Sequence, residues 1–120
     1  MTHQEQVCTL EQAEKLKELE CEQGKSIFYW FNGHIYARSP LGYTSDDCID
    51  AYTVAELGVM LAELGETEID TVYENGEWTM AKGIETIPSL VKYIWHPTEA
   101  QARAALLIHI LEQKKNSNCI

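Results

Sequence analysis

Three stretches of the chain repeat apolar residues at three- and four-residue steps, and the same polar signature opens each of them. Thr9-Leu10-Glu11-Gln12, Thr53-Val54-Ala55-Glu56 and Thr98-Glu99-Ala100-Gln101 all place a Thr three residues ahead of a Glu or Gln. In such a capping box the Thr side chain accepts from a backbone N–H of the first helical turn, and the Glu or Gln side chain accepts from the Thr N–H. The spacing predicts a helix over residues 10–23, with Leu10, Ala13, Leu16 and Leu19 on its inner stripe, an i,i+4 pair of Glu11 with Lys15, and Gly24 as its stop. A second helix is predicted over 54–64, with Val54, Leu57, Leu61 and Leu64 facing inward and Gly65 as C-terminal cap. Gly58 inside it costs about 1 kcal/mol relative to Ala, which points to close packing against a neighbour. A third helix is predicted over 99–114, carrying Ala100, Ala104, Leu107 and Leu111, widened by Leu106 and Ile110, with Lys114 and Lys115 at its negative end.

Between these helices the period changes to two. Residues 26–31 are aromatic and β-branched, Asn32-Gly33 is a type I′ turn signal, and the strand resumes over 34–37. Residues 69–74, Asn75-Gly76 and 77–81 repeat the arrangement. A short strand over 48–52 and a further strand over 90–96 follow from the alternation, and Pro88 is confined to a strand's edge or end. The stretch 39–47, with Pro, Gly, Ser and Asp46-Asp47, reads as the most mobile internal loop. This order predicts one α+β domain over residues 1–120, an antiparallel sheet of about four to six strands with three helices packed on it. Its ends, 1–7 and 115–120, are expected to be flexible, and Leu16, Leu19, Leu57, Leu61, Leu107 and Leu111 are expected to be buried. The first two capping boxes and the two Asn-Gly turns recur at nearly equal spacing, but residue identity between the units is poor. A chance match of lengths is favoured over a duplication.

Composition narrows the function rather than the fold. With 120 residues, 45% hydrophobic and 23% charged, the chain can bury a core without disulfides or a structural metal. Nineteen acids against nine bases leave a formal charge of −10, which disfavours phosphate backbones and anionic membranes and favours a basic partner. The N-terminus has no basic-then-apolar leader, and the longest apolar run, 104–108, is too short for a membrane span. Cys8, Cys21, Cys48 and Cys119 are never closer than 13 residues, so they read as reduced cytoplasmic thiols rather than zinc ligands or a disulfide framework. No metal or cofactor is expected. Phosphate-cradling glycine loops and nucleophile elbows are absent from the sequence. Cys21 or Cys48 with His34 or His109 is not a pairing that the spacing demands, and His109, between Ile108 and Ile110, reads as structural. No catalytic residue can be named.

Two features suit a partner surface. From Glu63 to Glu77 there are six acids (Glu63, Glu66, Glu68, Asp70, Glu74 and Glu77) and no base. They form either a solvated edge hairpin that charge protects from aggregation, or an acidic face that docks on a basic protein surface. In Phe28-Tyr29-Trp30-Phe31, with Tyr36 across the turn, both strand faces are apolar. That describes a central strand covered twice, or a strand with one exposed aromatic face. The partner-binding candidates are therefore Glu66, Glu68, Asp70, Glu74 and Glu77, with Tyr29, Trp30 and Phe31.

The block Cys8-Thr9-Leu10-Glu11-Gln12-Ala13-Glu14-Lys15-Leu16-Lys17-Glu18-Leu19, followed by Phe28-Tyr29-Trp30, resembles the start of small proteins encoded by phages and prophages of gut bacteria. Ala51-Tyr52-Thr53-Val54-Ala55-Glu56-Leu57-Gly58 and Thr98-Glu99-Ala100-Gln101-Ala102-Arg103-Ala104, with Leu106-Leu107-Ile108, resemble the same group in the same order over most of the chain. The sequence departs from it at Glu20-Cys21-Glu22-Gln23-Gly24, where a Leu-Gly helix end is commoner in the group. The resemblance implies an uncharacterised phage-encoded accessory protein of the bacterial cytoplasm and carries over no catalytic residue. Three function classes follow. The first is a non-catalytic anti-defence or host-takeover protein binding a host or phage protein, with no direct nucleic-acid or membrane binding and with a homodimer left open. The second is a small-ligand (nucleotide) binder or sequestering protein, whose anion contacts outside the first-helix and C-terminal lysines would be Arg38, Lys82, Lys92 and Arg103. The third is a small enzyme of unidentified chemistry.

Overall fold

A computed structural model describes residues 3–37, 48–65, 69–82, 85–86 and 95–118. The elements are α1 (His3–Gln6), α2 (Leu10–Glu18), β1 (Phe28–Phe31), β2 (His34–Ala37), β3 (Ile49–Asp50), α3 (Val54–Glu63), β4 (Ile69–Glu74), β5 (Glu77–Lys82), β6 (Glu85–Thr86) and α4 (Glu99–Asn118). The class is α+β. Among the described residues, however, the strands form two three-stranded antiparallel sheets, β2-β1-β3 and β4-β5-β6, in place of one sheet of four to six. α4 packs on the β4–β5 hairpin and also on α1, α2 and α3, while β3 rests on α2. β3 ends at Asp50, and Ala51 and Tyr52 lead from it to the Thr53 cap of α3.

The capping boxes are formed as the sequence predicts at α2 and α3. Gln12 N–H donates to Thr9 Oγ1 and Thr9 N–H to Gln12 Oε1, both at 3.1 Å. Glu56 N–H donates to Thr53 Oγ1 at 3.2 Å and Thr53 N–H to Glu56 Oε1 at 2.9 Å. At α4, Gln101 N–H donates to Thr98 Oγ1 at 3.2 Å. The first helix stops short of residue 23. Glu20 takes a left-handed φ of 69°, and the N–H groups of Glu20 and Cys21 turn back to the carbonyls of Lys17 and Leu16, each at 3.0 Å. Those two bonds are a Schellman closure with Glu in the position that usually holds Gly. Gly24 is therefore a loop residue and not the stop. α3 ends at Glu63 with Gly65 at φ 88°, and α4 continues past Lys114 to Asn118.

Both hairpins turn at Asn-Gly with positive φ at each residue, the I′ geometry, in the expected registers. Their sheets differ in order: the first strand of the hairpin is central in β2-β1-β3 and the second is central in β4-β5-β6. The near-equal spacing therefore does not reflect one repeated topology. The expected loop 39–47, Pro88 and most of the expected 90–96 strand lie outside the described residues. At the described end of that strand, His96 bridges Trp78, with reciprocal N–H···O bonds of 2.8 Å.

One core joins these parts, with Ala13, Leu16, Trp30, Leu57, Leu61, Met80, Leu106 and Leu107 buried in it. Burial of each Leu is worth roughly 1.5–3 kcal/mol. Of the six expected core leucines, Leu16, Leu57, Leu61 and Leu107 are buried, Leu111 is half-buried against the cluster, and Leu19 is half-buried. Val7, in the stretch expected to be loose, is fully buried and bridges Thr53. Gly58 marks a close helix crossing, since a Cβ there would stand 2.6 Å from Arg103 Nη1. Arg103 is held over it by Glu99, at 3.1 and 3.2 Å, and Glu99 also accepts from Thr71 Oγ1 at 3.3 Å. Cys8 and Cys21 are free thiols. Among the described residues, no helix is long and apolar enough to cross a membrane.

Candidate functional site

β1 is the central strand of its sheet, and its alternation sorts the aromatic candidates. Trp30 points into the core, 8% exposed, with its indole N–H donating to Cys8 O at 3.3 Å; Ile35 and Ile49 flank it across the strands. An indole so buried and hydrogen-bonded is a structural anchor of the core, and Trp30 is not an exposed member of the aromatic face. Tyr29 and Phe31 face the other way. Tyr29 stacks on Tyr36 with centroids 5.7 Å apart, Phe31 tilts against Tyr36 at 6.4 Å, and Tyr36 is exposed. The second face of β1 is thus only partly covered.

In the other hairpin, Glu74 and Glu77 are a directly opposed, exposed pair at the Asn75-Gly76 turn. The next pair is Tyr73 and Trp78, with ring centroids 4.7 Å apart and Tyr73 60% exposed. Asp70 stands opposite Ala81 on β4, and Glu66 and Glu68 lie outside the described residues. Tyr73 and Trp78 form an aromatic pair next to these acids, Tyr73 on the surface. Their signal is the symmetry of Tyr73-Glu74-Asn75-Gly76-Glu77-Trp78 about the turn, which makes each like pair a cross-strand pair. His96, bridged to Trp78, has its pKa lowered by burial, and Glu77 partly offsets this.

A third feature was not legible as a site: a cavity of about 510 Å³ between the segment 19–26, α3 and the second half of α4. Leu19, Met60, Leu64, Leu107 and Leu111 give it an apolar floor, and Glu20, Glu22, Lys25 and Glu63 stand at its rim. Lys25 pairs with Glu22 at 3.0 Å. The rim segment is fixed from beneath by Asp50, a 1% exposed carboxylate that accepts from the N–H groups of Gly24, Lys25 and Ser26 at 3.0–3.2 Å. Gln23 Oε1 accepts from Asp50 N–H at 2.9 Å, and Tyr52 OH donates to Glu22 O at 2.8 Å. Glu56, the capping residue of α3, reaches the same segment: Oε1 lies 2.7 Å from Ser26 Oγ and Oε2 accepts from Ile27 N–H at 3.1 Å.

Among the described residues, the thiols in and behind this wall are held in their protonated form. Burial raises the Cys21 thiol and pushes Cys8 up to about 12, so both stay protonated near neutral pH. Burial, and then the nearby Asp50 charge, raises the Tyr52 phenol as well. Among the described residues, no group of three or more His, Cys, Asp or Glu converges as metal ligands. Of the residues suited to anion contact, Arg103 is committed to Glu99, Arg38 and Lys92 lie outside the described residues, and Lys82 sits on β5. Compared with known proteins, the chain matches no protein-family model, no curated protein and no solved structure.

Proposed function

We propose that this chain is a phage- or prophage-encoded, non-catalytic accessory protein of the bacterial cytoplasm, acting in anti-defence or host takeover. Its contact with a basic host or phage protein is the tip of the β4–β5 hairpin. The observation that carries this reading is the opposed Glu74–Glu77 pair beside the exposed Tyr73 ring, which Trp78 holds in place. Like charges set directly opposite each other cost stability, and a cationic partner relieves that repulsion on docking. A ring fixed by its neighbour adds contact area at low entropic cost. Nucleotide binding is the weaker reading, because Arg103 is already paired and the cavity rim is mainly acidic.

The test is capture from phage-infected host lysate on the immobilised full chain, followed by association kinetics of the captured protein over a salt series. Reversing Glu68, Glu74 and Glu77 to Lys is expected to slow association and flatten the salt dependence, with the melting curve unchanged. An unchanged association rate and salt slope overturns the acidic contact. Loss of binding in Tyr29→Ala/Tyr36→Ala instead moves the contact to the aromatic face of the first hairpin.

A further inference from the structure

We propose that the cavity between segment 19–26, α3 and α4 binds a small amphiphilic amine, a cationic nitrogen on a compact apolar body. This does not depend on the hairpin contact. At about 510 Å³ the cavity falls among the clefts that take small organic ligands. Its floor is aliphatic, with Met60 able to adapt its shape to a guest, and it offers a polar ligand little to bond with at depth. The inner polar groups are already spent: Glu56 on Thr53 and Ile27, and Tyr52 on Glu22 and Gln23. Specificity is therefore set at the rim. There Glu20, Glu22 and Glu63 face one cation, Lys25, which is bonded to Glu22. Carboxylates only accept, so the matching group is a donor of positive charge, and an anionic head would meet three like charges. The rim is also preorganised, because the Asp50 carboxylate fixes the backbone of Gly24, Lys25 and Ser26, and the Schellman closure fixes Glu20.

Three probes of one shape test the assignment: 1-aminoadamantane, adamantan-1-ol and adamantane-1-carboxylate, titrated into the isotopically labelled full chain. The amine is expected to shift backbone amides of residues 19–25, 59–64 and 107–111, and to bind about tenfold more tightly than the alcohol. The carboxylate is expected not to bind. Glu20→Gln/Glu63→Gln is expected to weaken the amine about tenfold and leave the alcohol unchanged. Lys25→Ala, which removes the competing cation, is expected to tighten the amine. All three side chains are exposed, so melting curves serve as the fold control. Equal affinity for amine and alcohol, indifference to the rim variants, or no localised shifts at millimolar amine each overturns the proposal.

Discussion

α2 and α3 begin with the same device and use it differently. In both, a Thr caps the helix and the third helical residue returns the bond. At α2 that residue is Gln12, whose amide oxygen serves the Thr9 N–H while its amide nitrogen donates to Gln101 O on α4, at 3.0 Å. At α3 it is Glu56, whose two oxygens serve Thr53 N–H, Ser26 Oγ and Ile27 N–H. The box needs only an acceptor, so either residue would satisfy it. The second partner makes the choice: a carbonyl demands the donor that Gln has, and a cluster of donors demands a carboxylate. A local cap has in each case become a tertiary tie, one joining helix to helix and the other joining helix to the loop before β1.

The strongest way to break the comparison is to remove the other carboxylate that holds the loop at Glu56. Asp50→Ala leaves three backbone donors without their acceptor, the Ser26 N–H in a buried position. A loss of about 3 kcal/mol is expected, a fall in Tm on the order of 10 °C by thermal melt. Next come the two swaps. Glu56→Gln turns an amide NH₂ toward a donor and should cost about 1–2 kcal/mol in chemical denaturation. Gln12→Glu sets a carboxylate against the Gln101 carbonyl and should cost about 1 kcal/mol. If both swaps prove neutral, the caps do not act as tertiary ties.

Much of this was legible in the sequence because it is local. Capping boxes, Asn-Gly turns and leucine stripes each specify a few consecutive dihedrals or one face, and the elements stand where those signals put them. The division of the strands between two sheets was not legible. It depends on α4 occupying the space beside the β4–β5 hairpin, a contact between distant segments that no local pattern encodes. Alternation separates Trp30 from Tyr29 and Phe31, but which face of β1 turns inward is set by what packs there. The cavity left no signal at all, since its wall is assembled from segment 19–26, α3 and the distant α4. For a physical reason α2 ends earlier than the Gly24 signal suggests. A Gly is the cheap left-handed residue, and the chain uses Glu20 at φ 69° four positions before the nearest Gly. Glu20→Gly, which gives α2 the kind of ending that Gly65 gives α3, is therefore expected to raise stability by about 0.5–1 kcal/mol. A loss would mean that the Glu20 side chain contributes more at the cavity rim than its backbone conformation costs.

The smallest expected effect distinguishes the two hairpins by pH. His96, bridged to Trp78, has a buried Nε2 that meets no hydrogen-bond partner among the described residues, and burial holds its pKa below the ordinary 6.5. The unfolded chain then takes up this proton more readily than the folded one. The associated stability is present above about pH 6.5 and is lost as pH falls through the lower, folded-state value. Glu77, by attracting the proton, works against the burial and softens this loss. Denaturant unfolding at pH 8 and pH ~5.5 should thus show a smaller acid-side decline in His96→Gln than in the wild type, and a larger one in Glu77→Gln. The same decline in His96→Gln as in the wild type would place the acid sensitivity elsewhere. With the decline assigned to His96, Glu77 would carry two tasks, easing a histidine that the fold has buried and standing opposite Glu74 at the hairpin tip. Its reversal to Lys would then add acid sensitivity to the loss of partner binding, a double signature that Glu74→Lys would not share.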